Sequence, residues 1–395
     1  MDGTDVNIEV YPFNKGDGIG LDSAYAEARE RVGLTRVRLA FGEPGWLVTR
    51  YADARQVLGD RRFSTQLATQ HDWPRVIPMQ PEMGILGLDD PDHPRLRRLV
   101  AKAFTAARVE GLRPWVRGLA RDLLTAMREG ESADLVEQFA LPFSVQVICE
   151  LLGVPAEDRS RFRVWTEWVF STTPVSPDEF MANHLAFRAY MGSLVEQRRE
   201  APRDDLISAL IRAQDDEDQI SAQELVDLCN SLLLAGHETT AAQIANFVDV
   251  LLHSPQGWQR LLDDPDLVPS AVEELTRFVP LMSGSVFPRY ADEDIEVGGT
   301  LVHAGEGVLV SLGAADRDPA RFTDPETIDL GREQNPHLGY SHGAHHCFGA
   351  ALARVELQEA LRALLELTPG LRVAGEIVWK PQVAVRGASK YVVSW

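Results

Sequence analysis

His337-Leu-Gly-Tyr-Ser-His-Gly-Ala-His-His-Cys347-Phe-Gly349 decides how this chain is read. It places one cysteine among glycines and histidines, directly before ALARVELQEALRALLEL, a run with strong helical periodicity. Backbone N–H groups and the positive end of such a helix stabilise a thiolate at Cys347. Zinc is the first metal to consider for a His/Cys cluster. However, the segment holds one cysteine, no Cys-x-x-Cys pair and no zinc-finger spacing of histidines. The other reading is a thiolate ligand to iron, with Gly343 and Gly349 allowing sharp turns and close approach to a flat group. Cys149 in VQVICELLGV and Cys229 in ELVDLCNSLLL sit in apolar helical contexts and read as inert core thiols.

Three stretches elsewhere carry polar residues in unusual places. The clearest helix runs from about Ser221 to His253, opened by a Ser221/Glu224 capping box and closed by Ser254-Pro255. At 1.5 Å per residue it spans about 50 Å, enough to cross a whole domain. Its centre reads Ala235-Gly-His-Glu238-Thr239-Thr240. A glycine there costs about 1 kcal/mol relative to alanine, and an acid beside threonine in an apolar stretch is costly too. Glu274-Leu-Thr-Arg277 puts an ion pair at i,i+3 on a helix over about 268–278. Asp90-Pro-Asp-His93-Pro-Arg-Leu-Arg97 sets His93 and Arg97 four apart on one helix face.

Together these segments resemble the cytochrome P450 family. The cysteine segment is similar to the family's Phe-Gly-x-Gly-x-His-x-Cys-x-Gly, with Gly343, His345, Cys347 and Gly349 in register, Tyr340 in place of phenylalanine and Ser341 in place of the first glycine. The resemblance covers nearly the whole chain, from YPFN to VVSW, and looks closest to actinomycete enzymes that tailor macrolides and related natural products. It implies a haem b cofactor with Cys347 as axial iron ligand, and dioxygen as co-substrate. A thiolate on haem iron favours O–O cleavage. By the same resemblance, Thr239 stands at the oxygen-activation site and Glu238 relays protons. His93, Arg97, Arg289 and His345 hold the haem propionates. Glu274 and Arg277, joined by Arg332, are structural and hold the cysteine loop.

The implied fold is mainly α with a minor β component: the cytochrome P450 fold, with haem between the long central helix and the cysteine-loop helix. No repeat or low-complexity linker is present, so residues 1–395 are expected to form a single domain, with β structure near 30–60 and 285–312. Strand-like runs stand at 37–41 and 46–51, and YADARQVL begins a helix. A formal charge of −20 argues against nucleic-acid partners and against adsorption to an anionic membrane. The amino-terminal MDGTDVNIEVYPFN lacks an apolar run with basic flanks, no window approaches a membrane span, and the cysteines are sparse. Cytoplasmic residence is therefore expected.

Monooxygenation needs reducing equivalents, and the chain shows no flavin or iron–sulfur module. The resemblance implies a ferredoxin and its reductase, drawing on NAD(P)H. Arg95, Arg97, Arg98, Lys102, Arg108, Arg113 and Arg117 against the single acid Glu110 form a basic cluster that suits an acidic partner. By the family's plan, Trp73, Met83, Trp168, Leu234, Met282 and Phe287 line an apolar pocket for a small-molecule substrate. Two activities fit: hydroxylation or epoxidation of a bulky secondary metabolite, and oxidative C–C or C–N coupling of aromatic or cyclic-peptide substrates. A non-catalytic haem sensor or partner protein is the third alternative. Such proteins are expected to have lost the cysteine, the Glu-x-x-Arg pair or the threonine, and none is lost here.

Overall fold

The computed structural model describes residues 8–14, 18–76, 80, 83–159, 176–217, 220–282, 284, 287–381 and 384–395. By contacts the chain sorts into two compact units. Unit 1 comprises Met1–Asp90, Glu273–Cys347 and Lys380–Arg386; unit 2 comprises Pro91–Val272, Phe348–Trp379 and Gly387–Trp395. The helices include α1 (Tyr51–Gly59), α2 (Asp92–Ala103), α3 (Ala106–Met127), α4 (Leu141–Leu152), α5 (Ala222–His253), α6 (Val268–Phe278) and α7 (Ala350–Leu367).

Unit 1 is built on a six-stranded sheet in the order Glu9–Val10, Thr35–Arg38, Gly45–Val48, Gly307–Val310, Arg289–Ala291, Phe63–Ser64. Gly45–Val48 pairs in parallel with Gly307–Val310 in the register Trp46↔Val308. The first two long strands begin slightly earlier than the sequence suggests. Residues 49–51 leave the sheet because Tyr51 opens α1, its backbone N–H donating to Asp318 Oδ2 at 2.8 Å. Val48, Ala54, Val57, Phe63, Val308 and Phe322 are buried in one core cluster between α1 and the sheet. A separate hairpin pairs Ile295–Val297 with Thr300–Val302. Its turn uses Gly298 and Gly299 at φ +55° and +83°, the left-handed region that two-residue hairpins require.

In unit 2, α5 runs as the sequence predicts. Ser221 N–H donates to Glu224 Oε2 (2.7 Å) and Glu224 N–H to Ser221 Oγ (3.1 Å), so both capping-box bonds form. Every residue from Thr240 to Leu251 is buried, including the polar Thr240, Gln243, Asn246 and Asp249 that recur every third residue among apolar neighbours. α4 packs against α5, and α7 against both α3 and α5. A Cβ on Gly236 would lie 2.8 Å from Ile148 Cδ1, so this glycine lets α4 approach α5 closely. The expected β regions omitted a second sheet, Arg372–Trp379, Ala388–Ser394 and Ser132–Asp134. Its pattern is hard to see because the pairing shifts register between Val373 and Ile377, around Gly375. Among the described residues no helix is long and apolar enough to cross a membrane.

Candidate active site

The cysteine loop is closed by its own backbone. Ser341 N–H donates to Leu338 O (2.6 Å), His346 N–H to Gly343 O (3.1 Å) and Cys347 N–H to Tyr340 O (2.9 Å). Gly343 has φ +72°, and a Cβ there would stand 2.2 Å from Leu58 O at the end of α1, so only glycine fits. Gly349 departs from expectation. It caps α7 at an ordinary φ of −81° with open space around its Cα, so neither a special turn nor a close approach within the protein explains it. Ser341 is the unusual residue, at φ +64° without being glycine. Left-handed backbone costs an L residue about 1–2 kcal/mol. Ser341→Gly is therefore expected to raise stability by roughly 0.5–1 kcal/mol once glycine's greater unfolded freedom is subtracted. Urea denaturation measures this, and a loss of stability would contradict it.

Behind the loop, Glu274 and Arg277 are fully buried on α6. Glu274 accepts from Arg277 Nη2 (2.7 Å) and Nε (2.8 Å), Arg332 Nε (2.9 Å), Asp329 N–H (3.0 Å) and Asn335 Nδ2 (3.2 Å). Arg277 Nη1 donates onward to Asp316 O and Pro325 O, both at 2.9 Å. The predicted triad thus forms, and it ties the irregular 316–335 stretch to α6.

The four residues expected to hold propionates fall into two pairs, each assembled within its own unit. In unit 1, Asp89 accepts from Thr65 Oγ1 at 2.9 Å, and that hydroxyl lies 3.5 Å from His345 Nε2. Arg289 is 7% exposed and feels Asp89, yet makes no side-chain hydrogen bond or ion pair among the described residues. Burial lowers its pKa to about 10. An arginine buried this way calls for an anion. Sequence reading missed Thr65 and Asp89; the only signal is that Asp89 adjoins the Asp90-Pro91 motif. In unit 2, α2 carries a buried His93, its ring 6.5 Å from that of Phe348, and Arg97, its guanidinium 4.3 Å over the same ring. Both therefore reach the residue that follows Cys347.

On α5, Glu238 is buried and Thr239 half-buried, its Oγ1 donating to Ala235 O at 2.7 Å. Ala235 is exposed and Leu234 half-buried, so this turn is accessible while the turns after it are closed. Among the other pocket candidates, Trp73 and Met83 are buried in a cluster with Ala68 and Tyr290, against which Phe287 packs. Trp73, at 3% exposed, is therefore a core residue. Met282 is half-buried and bridges Val385. Trp168 lies outside the described residues.

The basic cluster presents less charge than its sequence suggests. Arg95 pairs with Asp92 and Glu224, Arg108 with Asp204, Arg113 with Glu110 and Glu359, and Arg117 with Glu359. These partners, apart from Asp92 and Glu110, come from distant segments. Arg98 and Lys102 are exposed on α2.

Comparison with known proteins shows the family. The family model described as Cytochrome P450 matches residues 167–367. The chain is 48% identical to the mycinamicin IV hydroxylase/epoxidase of Micromonospora griseorubida, over 99% of this chain and 100% of that protein. It is 46% identical to the nocardicin C N-oxygenase of Nocardia uniformis subsp. tsuyamanensis, again over 99% and 100%. The solved structure of the mixed-function P450 MycG superposes with a TM-score of 0.94 at 49% identity, covering 98% of this chain and 100% of that one. The chain belongs to the cytochrome P450 family and has its fold. It is accordingly a monooxygenase of the class that uses haem iron and dioxygen. The residues present fit that cofactor. Buried Arg289 offers a cation to a carboxylate, and Cys347 is exposed where Cys149 and Cys229 are buried with pKa values pushed up to about 12.

Proposed function

We propose that this monooxygenase hydroxylates or epoxidises a bulky secondary metabolite of the macrolide or related polyketide class, with Cys347 as the thiolate ligand of haem b. The observation that carries the reading is the intact Glu238–Thr239 pair on the accessible turn of α5. Haem, when bound, supplies dioxygen activation. Arg289, His345, His93 and Arg97 hold its carboxylates by charge-assisted bonds. The buried Glu238 carboxyl and the Thr239 hydroxyl hold and pass protons one at a time. Leu234, Met282 and Phe287, each partly accessible, contribute to the substrate wall. Similarity to enzymes named for mycinamicin IV and nocardicin C supports a large natural product. Electrons come from NAD(P)H through a ferredoxin and its reductase, met by the exposed Arg98 and Lys102 of α2.

Product mass tests the reading. Turnover of a macrolide panel should add one oxygen atom; loss of hydrogen atoms or dimerisation would replace insertion by oxidative coupling. Thr239→Ala is expected to raise peroxide released per electron consumed severalfold, with substrate binding retained. Unchanged coupling of electrons to product would remove Thr239 from the proton path.

A further inference from the structure

His337 opens the cysteine segment, ten residues before Cys347. Its side chain is 3% exposed. Nδ1 accepts the Gly339 N–H at 3.1 Å, which fixes the ring proton on Nε2. Nε2 lies 3.1 Å from Glu273 Oε2 on α6, and so donates to it. One imidazole thus links a helix carboxylate to the loop backbone.

α6 presents two adjacent stripes at i,i+3 spacing. Glu274 and Arg277 serve the 316–335 stretch; Glu273 and Thr276 face His337 and Gly339. A Cβ on Gly339 would stand 2.6 Å from Thr276 Cγ2 and 2.9 Å from Thr276 O, so the loop is pressed directly onto the helix. Tyr340 comes next. Its ring lies 5.7 Å from that of His337, and its carbonyl receives the Cys347 N–H. We infer that Glu273 and His337 form a second anchor for the cysteine loop, which positions Cys347 through Gly339 and Tyr340 separately from the Glu274 network. As a claim about thiolate ligation, this rests on the assignment of Cys347 proposed above.

The two bonds can be cut one at a time. His337→Asn keeps an acceptor near Gly339 but loses the donor to Glu273. His337→Gln keeps that donor and loses the acceptor, and His337→Ala loses both. In cofactor-free protein, hydrogen exchange of the Gly339 amide should quicken in the Gln and Ala variants and stay near wild type in Asn. In haem-loaded protein, the fraction showing the red-shifted Soret band of the reduced carbon-monoxide complex should fall severalfold in His337→Ala, with partial rescue by Asn and Gln. Glu273→Ala should fall only as far as His337→Asn, which loses the same bond, and the double alanine variant no further than His337→Ala, since the Glu273 bond acts through His337. A full band in every His337 variant overturns the inference while leaving Cys347 as ligand. Equal exchange in all variants, or additive losses, also overturns it. Absence of the band from wild type overturns the ligand assignment itself, and the anchor with it.

Discussion

Cys347→Ser is expected to abolish the red-shifted Soret band of the reduced carbon-monoxide complex and all monooxygenase turnover, while leaving the fold intact. An alcohol is a far weaker acid than a thiol, so serine supplies no anionic sulfur and none of the electron donation that favours O–O cleavage. The fold is spared because Cys347 is exposed, and substitutions away from packed or charged features stay within about 0.5 kcal/mol. Circular dichroism beside the difference spectrum separates the two effects. A variant that kept the wild-type band would move the ligand elsewhere in the His/Cys loop. Neither other cysteine could substitute, since Cys149 and Cys229 are buried and burial raises both to about 12.

Glu274→Ala should produce the largest loss of stability, about 3–5 kcal/mol, because removing one partner of a buried ion pair leaves the other charged and desolvated. The fully buried Arg277 loses two charge-assisted bonds and the mostly buried Arg332 loses one. The Asp329 N–H and Asn335 amide also lose their acceptor. Chemical denaturation of the cofactor-free protein measures the cost, and soluble yield should drop with it. A change under about 1 kcal/mol would mean that the 316–335 stretch is held by something other than this carboxylate.

What the sequence made legible was local or carried by rare combinations. Both ends of α5 could be read because a capping box and a Ser-Pro stop act over a few residues. Helical spacing could pair Glu274 with Arg277, but Arg332 could be joined to them only through the family resemblance, and the structure brings all three together. Partnerships across long separations could not be read. Arg113 and Arg117 looked like free surface charge until Glu359, more than 240 residues away, met them both. His337 and Glu273, 64 residues apart, give no periodic signal either. Trp73 shows the opposite limit: an aromatic in a loop suits a pocket wall and a core equally, and Tyr290 and Met83 decide for the core.

The parallel pairing of Gly45–Val48 with Gly307–Val310 has a consequence for biosynthesis. A nascent chain can make the antiparallel contact between Thr35–Arg38 and Gly45–Val48 early. The other edge of that second strand stays unpaired until some 260 further residues have left the ribosome. During that interval Trp46 and Leu47 belong to an open strand edge, a template for pairing with other chains. Slow, non-local closure of this kind favours expression at reduced temperature or with chaperones, independently of how stable the finished protein is.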